Sequence, residues 1–252
     1  MSRTRSFTLA RAILLFLFPT LLVRRLVNLL GGKVQKGARV GFSIVIARSL
    51  YLEAGCRIGH GSLVNIRRLI LRTGAYIGHS NVCTGPFNIW LENQAGIGNR
   101  NVISRAPVGV TWGAAQLRLG RLSKITASHK IDCTRSVIFG HFSTLAGQGS
   151  QIWSHGYVHA SSGPGRYRVD GRVTVGDNVY IGSRSLILGG IAIADKVVVG
   201  AGMTVSRNLD EPGFYVSAPM RMLPLPIPPG DREDLIQLKK ADLIETVFIK
   251  KR

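Results

Sequence analysis

The sequence predicts an all-β chain wound as a parallel β-helix of short coils, and three observations predict it. Aliphatic residues recur every six positions along most of the chain. Glycine is over-represented, at 30 of 252 residues, against a usual share of roughly 7%. Aromatic residues supply only 7%, so many backbone positions turn tightly around little bulk.

The period of six begins at Val34 and continues through Val40, Ile46, Leu52, Ile58 and Val64. One residue is then inserted, and the series resumes at Leu71, Ile77, Cys83 and Ile89, with a further phase at Leu91, Ile97 and Ile103. It returns at Leu119, Ile125 and Ile131, at Cys133, Phe139 and Leu145, and again from Val175 through Ile181, Ile187, Ile193, Val199 and Val205. An amphipathic helix would repeat near 3.6 and a half-buried strand at 2, so neither carries this pattern. One short flat strand plus one turn does, as in IGHGSL, IGHSNV, IGSRSL and VGAGMT. Three such units close one coil, with the aliphatic residue inside and the small one at the corner. Stacked coils bury a continuous column and pair each strand with those above and below, leaving open edges only at the two ends. Residues 34 to 205, less two interruptions, give about seven or eight coils.

The interruptions run from about Ser104 to Gln116 and from about Trp153 to Arg172, and loops that leave a rigid scaffold commonly carry function. Three regions follow: a basic apolar helical segment over 1–33, the β-helix domain over 34–222, and a Pro-rich linker with a helical tail over 223–252. The tail is read as helix from the spacing of Leu235, Leu238 and Ile244.

Charge narrows the class of protein. There are 33 Lys and Arg against 13 Asp and Glu, a formal net charge of +20. With 45% hydrophobic residues the chain is not a disordered basic tail, which lacks the apolar surface to offset ordering entropy. No RNA-binding aromatic motif, helix-turn-helix pattern or zinc-finger spacing is present, so nucleic acid is not expected as a partner. The charge is uneven, because no acid precedes Glu53. The apolar run from Ile13 to Val23 is followed by Arg24 and Arg25 and interrupted by Pro19, and spanning a bilayer takes about 20 apolar residues. It lacks a signal-peptide cleavage site. A helix pair in the membrane interface or a cap on the end of the main domain fits this composition, and the two are compatible. Cys56, Cys83 and Cys133 are odd in number and sit in apolar periodic segments, which suits buried thiols in a reducing compartment, the cytoplasm.

With these hexads on view, the chain resembles the hexapeptide-repeat acyltransferases, and sugar and polysaccharide O-acetyltransferases among them. The resemblance, not the periodicity, implies a left-handed coil, since ordinary crossovers are right-handed. It also implies a homotrimer, acetyl-CoA as acyl-donor cosubstrate, no metal, and a saccharide acceptor of cell-envelope or exopolysaccharide synthesis, lipid-linked sugars at the inner face of the membrane included. The segment LAGQGSQIWSHGYVH is similar to the stretch where a coil ends in the family's histidine, which makes His155 the general base. Imidazole suits the task independently, because acyl transfer to a hydroxyl requires taking a proton from a weak acid near pH 7. Trp153, Tyr157 and His159 are candidates for the acceptor sugar, and no cysteine lies nearby, in keeping with direct attack on the thioester. Farther on, VTVGDNVYIGSRSLILGGIAIADKVVVGAGMTVSRNLDEPGFYVSAPMR looks like the family's CoA-binding end. Ser183 and Ala201 then meet pantetheine, Ser206 and Arg207 the nucleotide end, and Arg221 a phosphate, which a guanidinium grips with a bidentate fork. Ser217 and Pro224 depart from the family pattern at the adenine end.

The remaining histidines and arginines divide differently. His60, His79 and His141 take the third position of their hexads and read as a surface ladder, and His129 has no functional neighbourhood. Arg166, Arg168 and Arg172 either meet an anionic acceptor or solvate their loop. Two other functions stay compatible with the scaffold: a metal-dependent hydratase similar to γ-type carbonic anhydrases, using His155 and His159 with an unidentified third ligand, and a non-catalytic β-helix scaffold at the membrane.

Overall fold

A hexad leaves room for only two or three extended residues between turns, so most strands are that short. One side chain of each pair points out and one in. Arg57 is exposed and Ile58 buried, and the same alternation holds at Lys33–Val34, Arg39–Val40 and Gln151–Ile152. The computed structural model describes residues 3–217, 233, 235–238 and 247–250. Residues 1–217 make one unit and 218–252 a second.

In the first unit, coils stack in parallel register. Arg39–Val40 lies beside Arg57–Ile58, followed by Tyr76–Ile77, Gly96–Ile97, Lys124–Ile125, Thr144–Leu145, Tyr180–Ile181, Val197–Val199 and Gly213–Tyr215, a nine-stranded ladder on one face. That is more coils than the hexads alone suggest, because Gly213–Tyr215 pairs with Val197–Val199 after the repeat has ended. The other faces are joined in a fourteen-stranded sheet, since Ile44–Leu52 and Leu63–Leu71 run unbroken round the corner between them. Ile58, Ile77, Ile97, Ile125, Leu145, Ile181 and Val199 form a column at most 3% exposed, each residue contributing about 1.5–3 kcal/mol by burial.

A second interior column is polar. Ser43, Ser62, Asn81, Asn101, His129, Ser150 and Ser185 fall one to a coil at the same corner, all buried. Each side chain accepts the backbone N–H of the next member. The chain of bonds runs from Ser62 N–H to Ser43 Oγ (2.9 Å), Asn81 N–H to Ser62 Oγ (3.1 Å), Asn101 N–H to Asn81 Oδ1 (2.9 Å) and His129 N–H to Asn101 Oδ1 (2.9 Å). It ends with Ser150 N–H to His129 Nδ1 (3.1 Å) and Ser185 N–H to Ser150 Oγ (3.2 Å). The turn carries these N–H groups away from carbonyl partners, and a buried unpaired donor is costly, so the side chains complete the ladder. His129 is therefore a corner residue. On the outer surface His79 Nδ1 accepts from His60 N–H, and Asn99 Oδ1 from His79 N–H. His141 does the same for Arg121 N–H.

The amino-terminal segment forms α1 (Arg3–Leu17) and α2 (Thr20–Leu29), divided at Pro19. Leu15, Val23 and Val27 enter the core. Thr20 Oγ1 accepts Val40 N–H (2.8 Å), while Asn28 accepts Val34 N–H (2.7 Å) and donates to its carbonyl (3.1 Å). Arg11, buried, donates to the carbonyls of Ala47 (2.9 Å) and Arg48 (3.1 Å). The helix pair thus caps the first coil and satisfies its open edge. Among the described residues no helix is long and apolar enough to cross a membrane.

In the second unit the helical tail is corrected. Leu235–Leu238 and Val247–Lys250 are strands paired antiparallel, Leu235 opposite Lys250. The Val-Phe-Ile content of the second strand favours extended backbone, and a spacing of three between two leucines does not require a helix. Ile244 and the Pro-rich stretch from Pro219 to Pro229 lie outside the described residues.

Burial depresses the His129 pKa to about 4 from an ordinary value near 6.5. The unfolded chain therefore takes up the proton first, and stability present above about pH 6.5 is lost as pH falls through about 4, by up to about 3 kcal/mol. His129→Asn, whose amide can carry the ladder, should flatten that acid-side loss in denaturant titrations across this range.

Candidate functional site

The second interruption is an antiparallel hairpin, His155–His159 paired with Arg166–Asp170. It leaves the solenoid directly after the strand Gln151–Ile152 and returns at Val173–Val175. Gly171 N–H donates to the Ser154 carbonyl (2.9 Å) and closes its base. Alternation along the first strand puts His155, Tyr157 and His159 on one face, and Trp153 continues the row back into the coil. Trp153 and His155 meet edge to face at 5.9 Å, and so do His155 and Tyr157. Trp153 Nε1 donates to Gln151 Oε1 (2.8 Å), and Lys130 Nζ lies 4.9 Å from the indole centroid.

Asp132, which sequence reasoning missed, is the orienting partner of His155. It ends the strand one coil earlier, and its Oδ2 lies 2.9 Å from His155 Nδ1. Oδ2 also accepts the hydroxyl (2.6 Å) and N–H (3.1 Å) of Ser154, while Oδ1 accepts the Thr134 hydroxyl (2.9 Å). Four donors hold a carboxylate that is only 8% exposed, which a buried charge requires. Since a carboxylate only accepts, His155 Nδ1 carries the proton and Nε2 is the basic nitrogen. The sequence did carry a signal. Asp132 stands at the coil position where Thr84 and Ser104 align with it in register, an acid in a chain with few.

The first interruption meets the same place. Arg105, 4% exposed, donates to the carbonyls of Pro86 (2.9 Å), Trp112 (2.8 Å) and Gly113 (3.0 Å), pinning the loop. The Arg135 guanidinium lies 4.1 Å from the Trp112 ring centroid, and Arg135 N–H donates to Ser154 Oγ (2.9 Å). Both interruptions thereby brace the residue that precedes His155. Gly189 supports it from the following coil, because a Cβ there would lie 3.2 Å from the Trp153 carbonyl oxygen and 3.4 Å from His155 N.

The other candidate residues sort by register. Ser183 and Ala201 occupy the same corner of successive coils, with Gly202 N–H donating to the Ser183 carbonyl (2.8 Å). Gln151, Leu186 and Thr204 stack, as do Ile152, Ile187 and Val205, so Ser206 and Arg207 follow on the same face as Trp153, two coils away. At the spacing of stacked strands that is about 10 Å. Ser206 and Arg207 are exposed. Arg221, Pro224 and their surroundings lie outside the described residues. Arg168 is engaged by Asp170 through a two-point ion pair (2.7 and 3.1 Å), so it is not an open anion receptor. His155 and His159 belong to a strand, where four residues span about 13 Å, too far for one metal ion. Among the described residues no group of three His, Cys, Asp or Glu is arranged to hold a metal.

The first unit is thus a solenoid of six-residue repeats. Residues 172–207 match the family described as the hexapeptide repeat of succinyl-transferase. A Bacillus subtilis (strain 168) protein named "Putative acetyltransferase YvoF" is 36% identical over 81 residues, 32% of this chain and 43% of the relative. The match thus spans less than half of that relative. Among solved structures, the polysialic acid O-acetyltransferase OatWY is 15% identical with a TM-score of 0.47, over 72% of this chain and 77% of that one. A mutant of AntD, an N-acyltransferase from Bacillus cereus in complex with dTDP and coenzyme A, is 17% identical with a TM-score of 0.38, over 65% and 80%.

Cys56, Cys83 and Cys133 are all free and buried. Burial pushes the Cys56 and Cys83 thiols up to about 12 and raises Cys133 as well. The folded protein should resist iodoacetamide at neutral pH and the unfolded protein should take up three equivalents, as read by intact mass.

Proposed function

We propose that the protein is a CoA-dependent O-acetyltransferase acting on a saccharide hydroxyl in cell-envelope or exopolysaccharide synthesis. The observation that carries this reading is the pairing of His155 with buried Asp132 beside an aromatic row. The match of residues 172–207 to a transferase repeat and the name of the 36% identical relative support it.

His155 Nε2 takes the acceptor proton as the hydroxyl oxygen attacks the thioester carbonyl. The tetrahedral intermediate collapses with cleavage of the C–S bond, and the imidazolium returns its proton to the departing thiolate, leaving the ester and free CoA. Asp132 keeps the ring in one tautomer and offsets its transient charge. Trp153, Tyr157 and His159 offer a stacking floor and polar contacts for the sugar. Pantetheine lies against Ser183 and Ala201, and the nucleotide end meets Ser206, Arg207 and Arg221. Acetyl-CoA supplies the acyl group. No metal takes part in this scheme.

The working form in this reading is a homotrimer in the cytoplasm. Supporting it, Ile44, Leu63, Val82 and Val102 stack in register as an exposed aliphatic stripe on the face that carries Trp153. A neighbouring copy would cover that stripe and wall the cleft. The amino-terminal helices provide peripheral membrane contact in the same reading.

CoA release from acetyl-CoA with candidate glycans is the test of activity. His155→Ala should lower kcat by about 10²–10⁴ with the fold intact by circular dichroism, and undiminished turnover would remove the base assignment. Asp132→Asn should lower kcat more than it changes KM, because the charge partner of the imidazolium is lost. Val82→Glu should reduce the mass measured by light scattering from trimer toward monomer.

A further inference from the structure

Two clefts adjoin where the helix pair meets the first coils. One, of about 210 Å³, sits at the Pro19 hinge among Leu15, Phe16, Phe18, Phe42 and His60. The other, of about 360 Å³, shares Val40, Gly41 and His60 with it and adds Arg39, Arg57 and His79. A run of ring contacts joins them, from Phe16 to Phe42 (6.4 Å), Phe42 to His60 (5.7 Å) and His60 to His79 (5.6 Å).

The chemistry of the two clefts differs sharply. The hinge cleft is apolar, with room for several methylene groups. In the second, neither Arg39 nor Arg57 has a carboxylate partner among the described residues, and the Arg57 guanidinium rests over the Tyr76 ring at 4.7 Å. His60 Nδ1 accepts Phe42 N–H (3.0 Å) and His79 Nδ1 accepts His60 N–H (3.1 Å). Each neutral ring therefore carries its proton on Nε2, as a donor that the backbone does not use. Guanidinium forks and imidazole donors beside a hydrocarbon cleft match a phosphate joined to an acyl chain.

The helices around the clefts have the composition of an interfacial element. Their inner face caps the solenoid, yet Leu21 is 77%, Leu22 71% and Leu29 82% exposed, and Leu17 and Phe18 are open as well. Nine basic residues and no acid precede Glu53. Apolar side chains of this size lose little by remaining in water singly, but together with uncompensated positive charge they define a surface for an anionic bilayer.

We propose that this end of the solenoid docks on an anionic phospholipid leaflet, with the hinge cleft taking acyl chain and Arg39, Arg57, His60 and His79 meeting lipid phosphate. This docking rests on the membrane contact of the proposed function and gives it a ligand, and because its test needs no turnover its failure leaves the acyltransferase assignment standing. The full chain is floated with vesicles of phosphatidylcholine alone and of phosphatidylcholine mixed with phosphatidylglycerol. It should rise with the mixed vesicles and remain behind with the neutral ones, and added salt should weaken the association.

Leu21→Ser/Leu22→Ser and Arg39→Gln/Arg57→Gln, each checked for an unchanged melting temperature, should each weaken binding to mixed vesicles by about tenfold or more. A parent chain that ignores mixed vesicles overturns the proposal, as does a folded variant pair of either kind that binds them like the parent. Unchanged vesicle binding with a smaller sedimentation coefficient in the leucine variant would assign the apolar face to a second copy instead.

Discussion

Every coil of this protein finishes the hydrogen bonding of the coil beside it, and the rest of the structure depends on that constraint. A two-residue strand has almost no stability alone. Stacked in parallel, the same strand shares its N–H and C=O groups with neighbours on both sides and places one aliphatic side chain in a common column. The corners are the weak point, since the turn removes their N–H groups from carbonyl partners. Ser43, Ser62, Asn81, Asn101, His129 and Ser150 solve this with one buried acceptor per coil. The amino-terminal helices solve the related problem at the first coil, through Thr20, Asn28 and Arg11.

A scaffold held this way is stiff, and stiffness is what the proposed chemistry needs. His155 begins a hairpin that leaves the solenoid, yet its ring is fixed by Asp132 from the coil below and its backbone is approached by Gly189 from the coil that follows. The loop pinned by Arg105 reaches the same point through Trp112, Arg135 and Ser154. A base held from three directions keeps its orientation without reorganisation during reaction. The basic surplus also divides by location. Arg11 is consumed as a structural donor at the capped end, Arg168 is neutralised by Asp170, and Arg39 and Arg57 stay without a carboxylate partner among the described residues.

The repeat, its insertions and the buried thiols were legible in the sequence because they are local and periodic. Six-residue spacing reports which side chain points inward, and a break in it reports an insertion. Asp132 was not legible as a partner of His155, because the two are 23 residues apart and one coil plus a turn separates them. The carboxy-terminal tail failed for a different reason: three apolar residues at helix-like spacing weigh less than the β-forming run that ends the chain, which pairs with Leu235–Leu238.

The aliphatic column is written in the spacing of the residues, since an aliphatic side chain at every sixth position faces the interior of each coil. Tertiary structure alone decided what stands next to what across coils. It set Asp132 against His155 and joined the Pro19 hinge to Arg39 and Arg57. The reason is physical. Coil length varies with each inserted residue, so contacts between neighbouring coils depend on accumulated register, and register is fixed only when the strands pair.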